Sequence, residues 1–153
     1  MIEIINTTKH KINKKKIVDL SDAFLHQFKH SEVDVSIAVV GDRRIQILNK
    51  QYRGLDKPTD VLSFAGAEWE GNLLGEVIIN PQELKRLSKY KEILEYVGLS
   101  YPAKNLKKTE TYLFYFILIH GLLHLVGYDD SEEVDRQEML KLGRNFLSKY
   151  DIM

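Results

Sequence analysis

The stretch Y-L-F-Y-F-I-L-I-H-G-L-L-H-L-V-G-Y-D-D, residues 112–130, contains the most apolar run of the chain. Its apolar part, residues 112–126, is fifteen residues long. That is shorter than the roughly 20 residues that a helix needs to cross a membrane. The run also contains two histidines and a glycine. We therefore predict a buried central helix around which the fold is built, and no membrane partner.

The two histidines of this run, His120 and His124, predict a metal site. On a helix, their spacing places both side chains on one face, about 6 Å apart along the axis. Burying two imidazoles is costly unless both are satisfied, and a metal ion satisfies both. Gly127 permits the left-handed turn that ends a helix, and Asp130 follows it. Three protein ligands and an open position are typical of a catalytic metal site.

Asp130 has two interpretations. It can be the third ligand, or it can cap the final helix, because Glu133 follows it at the spacing of a capping box. A carboxylate has two oxygens, so the two roles are compatible. A second histidine pair, His26 and His30, is followed by no comparable glycine and ligand, and we interpret it as a solvated surface.

Position 121 separates two kinds of metal chemistry. Zinc peptidases of the H-E-x-x-H type have a glutamate there as general base. This chain has Gly121 instead. Peptidase activity is therefore disfavoured, and a metallopeptidase-like hydrolase built on the same helix remains an alternative.

The distribution of apolar residues predicts an α+β fold, a small mixed four-stranded sheet packed with about five helices. Strands are predicted at residues 2–5, 33–39, 61–65 and 73–79. Helices are predicted after caps at Asn13, Asp42, Asn80 and Thr109, the third of them running to about Val97, and from Glu133 to about Tyr150. Residues 68–72 join two strands directly as a hairpin connection, which favours a mixed sheet over a doubly wound parallel one.

The composition restricts the classes of protein and partner. A length of 153 residues with 44% apolar and 29% charged residues predicts one globular domain, residues 1–153. Lys+Arg and Asp+Glu both number 22, so any nucleic acid must be held by a local patch. The absence of cysteine excludes disulfides and thiolate ligands. The N-terminus lacks the features of a signal peptide, so we expect a cytoplasmic protein.

Three segments carry a resemblance to a known family. The segment H-G-L-L-H-L-V-G-Y-D-D, residues 120–130, resembles the signature H-G-x-L-H-L-x-G-Y-D-H of the YbeY family of bacterial endoribonucleases. Y-R-G-L-D-K-P-T-D-V-L-S-F, residues 52–64, and L-G-E-V-I-I, residues 74–79, are similar to its other conserved blocks. The order and spacing of all three segments fit the family.

The resemblance implies a zincin-like fold with the metal site on the central apolar helix. It also implies a single-strand-specific endoribonuclease that acts in ribosomal RNA maturation and ribosome quality control. His120 and His124 would be the first two ligands of a divalent metal ion, with zinc favoured. Asp130 stands where the family usually has a third histidine, so other divalent metals can compete.

Further site residues follow from the same resemblance. Arg53 matches a conserved arginine and suits a phosphate, as a substrate-binding and catalytic group. The alternative is an ion pair of Arg53 with Asp56 or Asp60 in the same loop. Lys57 is a second candidate for substrate binding. Glu76 lies where the family commonly has an acidic residue, which implies either a supporting or proton-transfer role at the site or a purely structural role. Thr59, Asp60 and Ser63 match too, and we assign them to loop and strand geometry.

We therefore predict a metal-dependent endoribonuclease that cleaves single-stranded RNA, with ribosomal RNA as substrate and with the ribosome or small-subunit proteins as partners. The alternative from another class is a ribosome assembly factor whose metal is structural or lost.

Overall fold

The computed structural model describes residues 1–67 and 71–152. A 3₁₀ turn spans Leu87–Tyr90. The strands are β1 (Ile2–Asn6), β2 (Asp34–Val39), β3 (Val61–Ala65) and β4 (Leu73–Ile79). The helices are α1 (Lys14–Gln27), α2 (Asp42–Arg53), α3 (Pro81–Leu84), α4 (Lys91–Tyr96), α5 (Leu106–Leu125) and α6 (Glu133–Leu147).

The four strands form one mixed sheet in the order β1-β2-β4-β3. The β1–β2 and β2–β4 pairs are parallel, and β3 pairs antiparallel with β4, with Val61 opposite Ile79. The predicted α+β fold with a mixed four-stranded sheet is confirmed. The predicted hairpin connection at residues 68–72 lies partly outside the described residues, but the strands that it joins are antiparallel neighbours.

Helix α5 lies at the centre of the main core, as its apolar sequence predicts. Its side chains pack with those of α1, α6 and the strands on one face of the sheet. Leu118, Ile119 and Leu122 are completely buried. Among the described residues, no helix combines the length and the hydropathy that crossing a membrane requires.

Helix α2 packs on the opposite face of the sheet over a much smaller cluster. Ile45 contacts Leu62 of β3 and Ile78 of β4 in this cluster. The helix does not cover the whole face, because Ile5 on β1 is 53% exposed and Glu76 on β4 is exposed. The edge strand β3 therefore has a core side beneath α5 and a more open side beside α2.

Gly121 allows α5 to approach the sheet closely. A Cβ atom at this position would lie 2.7 Å from Val77 Cγ1 and 3.1 Å from Val61 Cγ2. The Ser63 hydroxyl on β3 donates a hydrogen bond to the Gly121 carbonyl oxygen at 2.9 Å. A larger residue at position 121 would therefore push the helix away from β3 and β4.

The single helix predicted from Asn80 to Val97 is wrong. Its start is confirmed, because the Asn80 side chain accepts a hydrogen bond from the Gln82 amide. The helical conformation then stops at Arg86, which has ψ 66° and pairs with Asp42 and Glu83. Glu83 is almost fully buried, so its charge requires these partners. This tertiary ion-pair network replaces continuation of the helix.

The predicted helix caps have mixed outcomes. Asn13 caps α1 by accepting from the Lys16 amide. Asp42 is wrong as a cap, because Gly41 precedes the helix and the Asp42 carboxylate faces Arg86 and Asn80. Thr109 is also wrong as a cap: α5 begins at Leu106, four residues earlier than predicted, with Asn105 as its cap, and Thr109 is buried inside the helix.

Candidate metal centre

The turn after α5 brings the chain back toward the two histidines. Gly127 has φ 106°, in the left-handed region that favours glycine. The Tyr128 amide then donates to the Leu123 carbonyl oxygen at 3.0 Å. Asp129 shapes the next step, since its side chain accepts from the Asp130 amide and the Ser131 hydroxyl. The predicted glycine turn is confirmed, and it directs Asp130 toward α5.

The side chains of His120, His124 and Asp130 converge at this turn. One ligand atom from each lies within 4.8 Å of the others. Asp130 Oδ2 is 3.1 Å from His120 Nε2 and 3.6 Å from His124 Nε2. The two imidazole rings stand nearly perpendicular, with centroids 4.9 Å apart. No other such group of three occurs among residues 1–67 and 71–152, so the histidines at positions 26 and 30 form no comparable site.

A backbone carbonyl fixes the orientation of the His124 ring. Its Nδ1 lies 3.0 Å from the Tyr128 carbonyl oxygen, which can only accept a hydrogen bond. Nδ1 therefore carries the proton, and the lone pair of the neutral ring is on Nε2, the atom that faces Asp130. Metal-binding histidines are held in this way by a partner on the second ring nitrogen.

Asp130 does not cap the final helix. Glu132 occupies the N-cap position of α6, and its side chain makes no capping hydrogen bond to the first turn of the helix. Instead, Asp130 Oδ2 faces His120 Nε2 at 3.1 Å, within hydrogen-bond distance. This contact, together with the electrostatic attraction of the two imidazoles, holds the pKa of Asp130 below its usual value, although burial acts in the opposite direction. The carboxylate is therefore ionised at neutral pH, as a metal ligand must be.

The separations of Asp130 Oδ2 from the two histidine Nε2 atoms are close to those expected around a divalent metal ion. Zinc–nitrogen and zinc–oxygen bonds of about 2.0–2.2 Å in a tetrahedron place donor atoms about 3.3–3.5 Å apart. The measured 3.1 Å and 3.6 Å lie on either side of this range. Two imidazole nitrogens and one carboxylate oxygen are also ligands that such ions accept in catalytic sites.

The three side chains lie in an open cleft of about 800 Å³ between α5, β3 and the end of α2. Arg53 lines this cleft at the C-terminus of α2. It forms no ion pair with any described residue, because Asp56 contacts Lys50 and Gln46, and Asp60 contacts Tyr90. The alternative of an Arg53 pair with either aspartate is thus wrong, and the guanidinium is free to meet a ligand.

Two predicted site residues lie elsewhere. Lys57 is exposed in the same loop as Arg53, but it is not among the residues that line the cleft. Glu76 on β4 is exposed on the α2 side of the sheet, whereas the histidines lie on the α5 side. The sheet therefore lies between Glu76 and the two histidines. This separation contradicts a proton-transfer role for Glu76 at the metal centre.

Asp60 lines the cleft, although its position in the sequence predicts only a role in loop geometry. The Tyr90 hydroxyl donates to Asp60 Oδ2 at 3.0 Å, and the Asn80 amide donates to the Asp60 backbone oxygen. Burial raises the pKa of the Asp60 carboxyl, against the effect of the tyrosine and of nearby His120. The sequence contains no signal for this placement, because Tyr90 is thirty residues away in the chain.

Comparisons with known proteins agree with this arrangement. The model of the family described as Endoribonuclease YbeY matches residues 3–151. A relative from Francisella philomiragia, named Endoribonuclease YbeY, is 31% identical, with 99% of this chain and 91% of the relative covered. A relative of the same name from a Sulfurihydrogenibium species is 36% identical, with 90% of this chain and 84% of the relative covered.

The fold has a counterpart among solved structures. The solution structure of TM1509 from Thermotoga maritima is similar, with a TM-score of 0.53 and 25% sequence identity. The similarity covers 97% of this chain and 91% of that protein. By the match of the family model over almost the whole length, together with these relatives, the chain belongs to the YbeY family of endoribonucleases.

Proposed function

We propose that the protein is a metal-dependent endoribonuclease that hydrolyses single-stranded RNA in ribosomal RNA maturation and ribosome quality control. The observation that carries this proposal is the convergence of His120, His124 and Asp130 beside the unpaired Arg53 in one open cleft. The relatives that are similar in sequence over most of the chain are named Endoribonuclease YbeY. Such a role places the protein in the cytoplasm, with ribosomal components as its partners.

The proposed metal ligands are His120 Nε2, His124 Nε2 and Asp130 Oδ2, and zinc is the favoured ion. A divalent ion held there would polarise a phosphoryl oxygen and lower the pKa of a bound water. A carboxylate in place of a third imidazole leaves less positive charge at the centre. It also favours harder ions more than a site of three histidines does.

Arg53 is the proposed phosphate-binding residue. Its guanidinium has no carboxylate partner among the described residues, and it lines the same cleft as the three ligands. A planar fork of donors matches a phosphate group and can stabilise the charge that develops during phosphodiester cleavage. A lysine would supply only a point charge at this position.

The proposal is tested by incubating the metal-loaded protein with a labelled single-stranded RNA, the same RNA as a duplex, and casein. We expect cleavage of the single strand only, and loss of cleavage when a chelator removes the metal. Cleavage of casein would instead support the metallopeptidase alternative. Absence of any cleavage by protein with bound metal would favour an assembly factor with a structural ion.

Asp130 has its own prediction. Asp130→Ala should lose metal during purification, and Asp130→His should retain zinc at least as well as the wild type, because imidazole suits zinc. Metal content is measured on purified protein by elemental analysis. Asp135→Ala, which removes an exposed carboxylate from α6, is the control and should bind metal normally. Equal metal content in all four proteins would exclude Asp130 as a ligand.

A further inference from the structure

A second groove lies on the other side of the edge strand β3 and is continuous with the metal cleft. Its volume is about 550 Å³, and it lies between α2 and the face of the sheet that α2 leaves open. Tyr52, Phe64 and Ala65 line both the groove and the metal cleft. A chain-like ligand can therefore pass from one to the other over β3 without leaving the protein surface.

The junction of the two sites is aromatic. Tyr52 is 59% exposed at the end of α2, more than any other tyrosine among the exposed large hydrophobic residues. Its ring packs against that of Phe64, with centroids 5.0 Å apart and an angle of 60° between the planes. The contact holds the ring in place while most of its surface stays accessible. An ordered, exposed aromatic ring is what an unpaired base stacks on.

Cationic side chains lie on both sides of this ring. Arg53 is next in sequence and lines the metal cleft, and Arg44 lines the groove two turns earlier on α2, about 12 Å along the helix axis. Neither arginine forms an ion pair within residues 1–67 and 71–152. Glu76 lies opposite Phe64 in the strand register and would repel a phosphate there. This pattern favours phosphates at the arginines and a base, rather than a phosphate, at Tyr52.

We propose that the RNA strand continues from the metal cleft over β3 into this groove, where one base stacks on Tyr52 and Arg44 holds a neighbouring phosphate. The inference rests on the proposed RNA substrate and extends its binding site to the second face of the sheet. Aromatic rings combined with cations are typical of grooves that hold single strands. A duplex has no free base face to offer, so the platform also explains a preference for single strands.

The test compares Tyr52→Ala, Tyr52→Phe and Tyr52→Trp in the metal-loaded enzyme. The substrates are a single-stranded RNA of about ten nucleotides, within the range of site sizes of such grooves, and a dinucleotide that occupies only the metal cleft. For the longer RNA, we expect Tyr52→Ala to raise KM by about 5- to 150-fold with kcat nearly unchanged. Tyr52→Phe and Tyr52→Trp should keep KM close to the wild-type value.

The control variant is Ile47→Ala, which removes another exposed apolar side chain from α2, on a surface that faces neither site. It should leave both substrates unaffected, and Tyr52→Ala should raise KM for the dinucleotide far less than KM for the longer RNA. An unchanged KM of Tyr52→Ala for the longer RNA would overturn the proposal. An equal rise in KM of Tyr52→Ala for the dinucleotide would also overturn it, since the effect would then arise in the metal cleft.

A spectroscopic measurement separates this inference from the proposed activity. The fluorescent base 2-aminopurine is placed at successive positions of the RNA, and its emission is recorded on mixing, before cleavage. We expect quenching at one position, and loss of that quenching in Tyr52→Ala but not in Tyr52→Trp. RNA that is bound and cleaved without such a position would overturn the stacking proposal alone. Quenching without cleavage by the wild type would retain the stacking site and overturn the proposed activity.

Discussion

Replacing His120 or His124 with alanine is expected to lower kcat/KM for single-stranded RNA by more than about 100-fold, because the loss of a residue that merely supports a ligand already costs about 10- to 100-fold. Each histidine supplies one of three converging donor atoms, so its removal leaves only two ligands. The variants should also be purified without stoichiometric metal. Kinetic assays and elemental analysis of the same preparations measure the two effects together.

The control for this prediction is His26→Ala. His26 is an exposed residue of α1 that belongs to the other histidine pair at the same spacing. Its replacement should change neither the metal content nor the rate. Thermal unfolding of each variant separates a local loss of metal from a loss of the fold. A folded His120→Ala or His124→Ala protein that cleaves RNA at the wild-type rate would contradict the metal mechanism.

The second large effect concerns stability. Gly121→Glu is expected to reduce the free energy of unfolding by about 3 kcal/mol or more, since it forces both extra volume and a charge against the sheet. Even the Cβ atom would lie 2.7 Å from Val77 Cγ1. For a protein of this size, such a loss lowers Tm by at least about 6–12 °C. Calorimetry or circular dichroism during heating measures the change.

Gly143→Ala is the matched control, because Gly143 is also a helical glycine that faces the main core. The three atoms nearest to a Cβ atom there would belong to the Phe116 ring, at 3.4 Å or more, which is ordinary van der Waals contact. We expect this variant to be as stable as the wild type or more stable by up to about 1 kcal/mol, since alanine favours the helix. A Gly121→Glu protein as stable as Gly143→Ala would show that α5 can move away from the sheet at little cost.

The Gly121 packing also bears on the metallopeptidase alternative. Zinc peptidases of the H-E-x-x-H type require a glutamate at this position. Here the position faces Val77 and Val61 in the sheet, so the side chain has no room. Installing the glutamate should therefore destabilise the fold and create no peptidase. This result is expected even though the two histidines of the motif are present.

The features that follow directly from the sequence are local ones. The caps at Asn13 and Asn80 bond to amides two or three residues away, and both were predictable from residue type. The convergence of His120 and His124 follows from one helical turn, and the turn at Gly127 follows from its conformational freedom. Interactions of such short range require no knowledge of the rest of the chain.

Other features depend on residues that are distant in sequence. Arg86 ends a helix that its own segment favours, because Asp42, forty-four residues away, offers an ion pair. Asp60 enters the cleft through a hydrogen bond from Tyr90. Local propensity is worth only about 1 kcal/mol per residue, so a buried charge that needs a partner can override it.

The pair of histidines with the turn after it and the mixed sheet are thus predictable from the printed residues, because periodicity and short-range spacing encode them, and the family follows from the resemblance of three segments. Three features required the folded chain: an Arg53 guanidinium that pairs with no carboxylate of residues 1–67 and 71–152, the placement of Glu76 on the far face of the sheet, and the groove that continues past Tyr52. Exposure and charge pairing depend on which distant segments cover a side chain. Which segments cover these side chains is decided only when α2, β3 and α5 pack together.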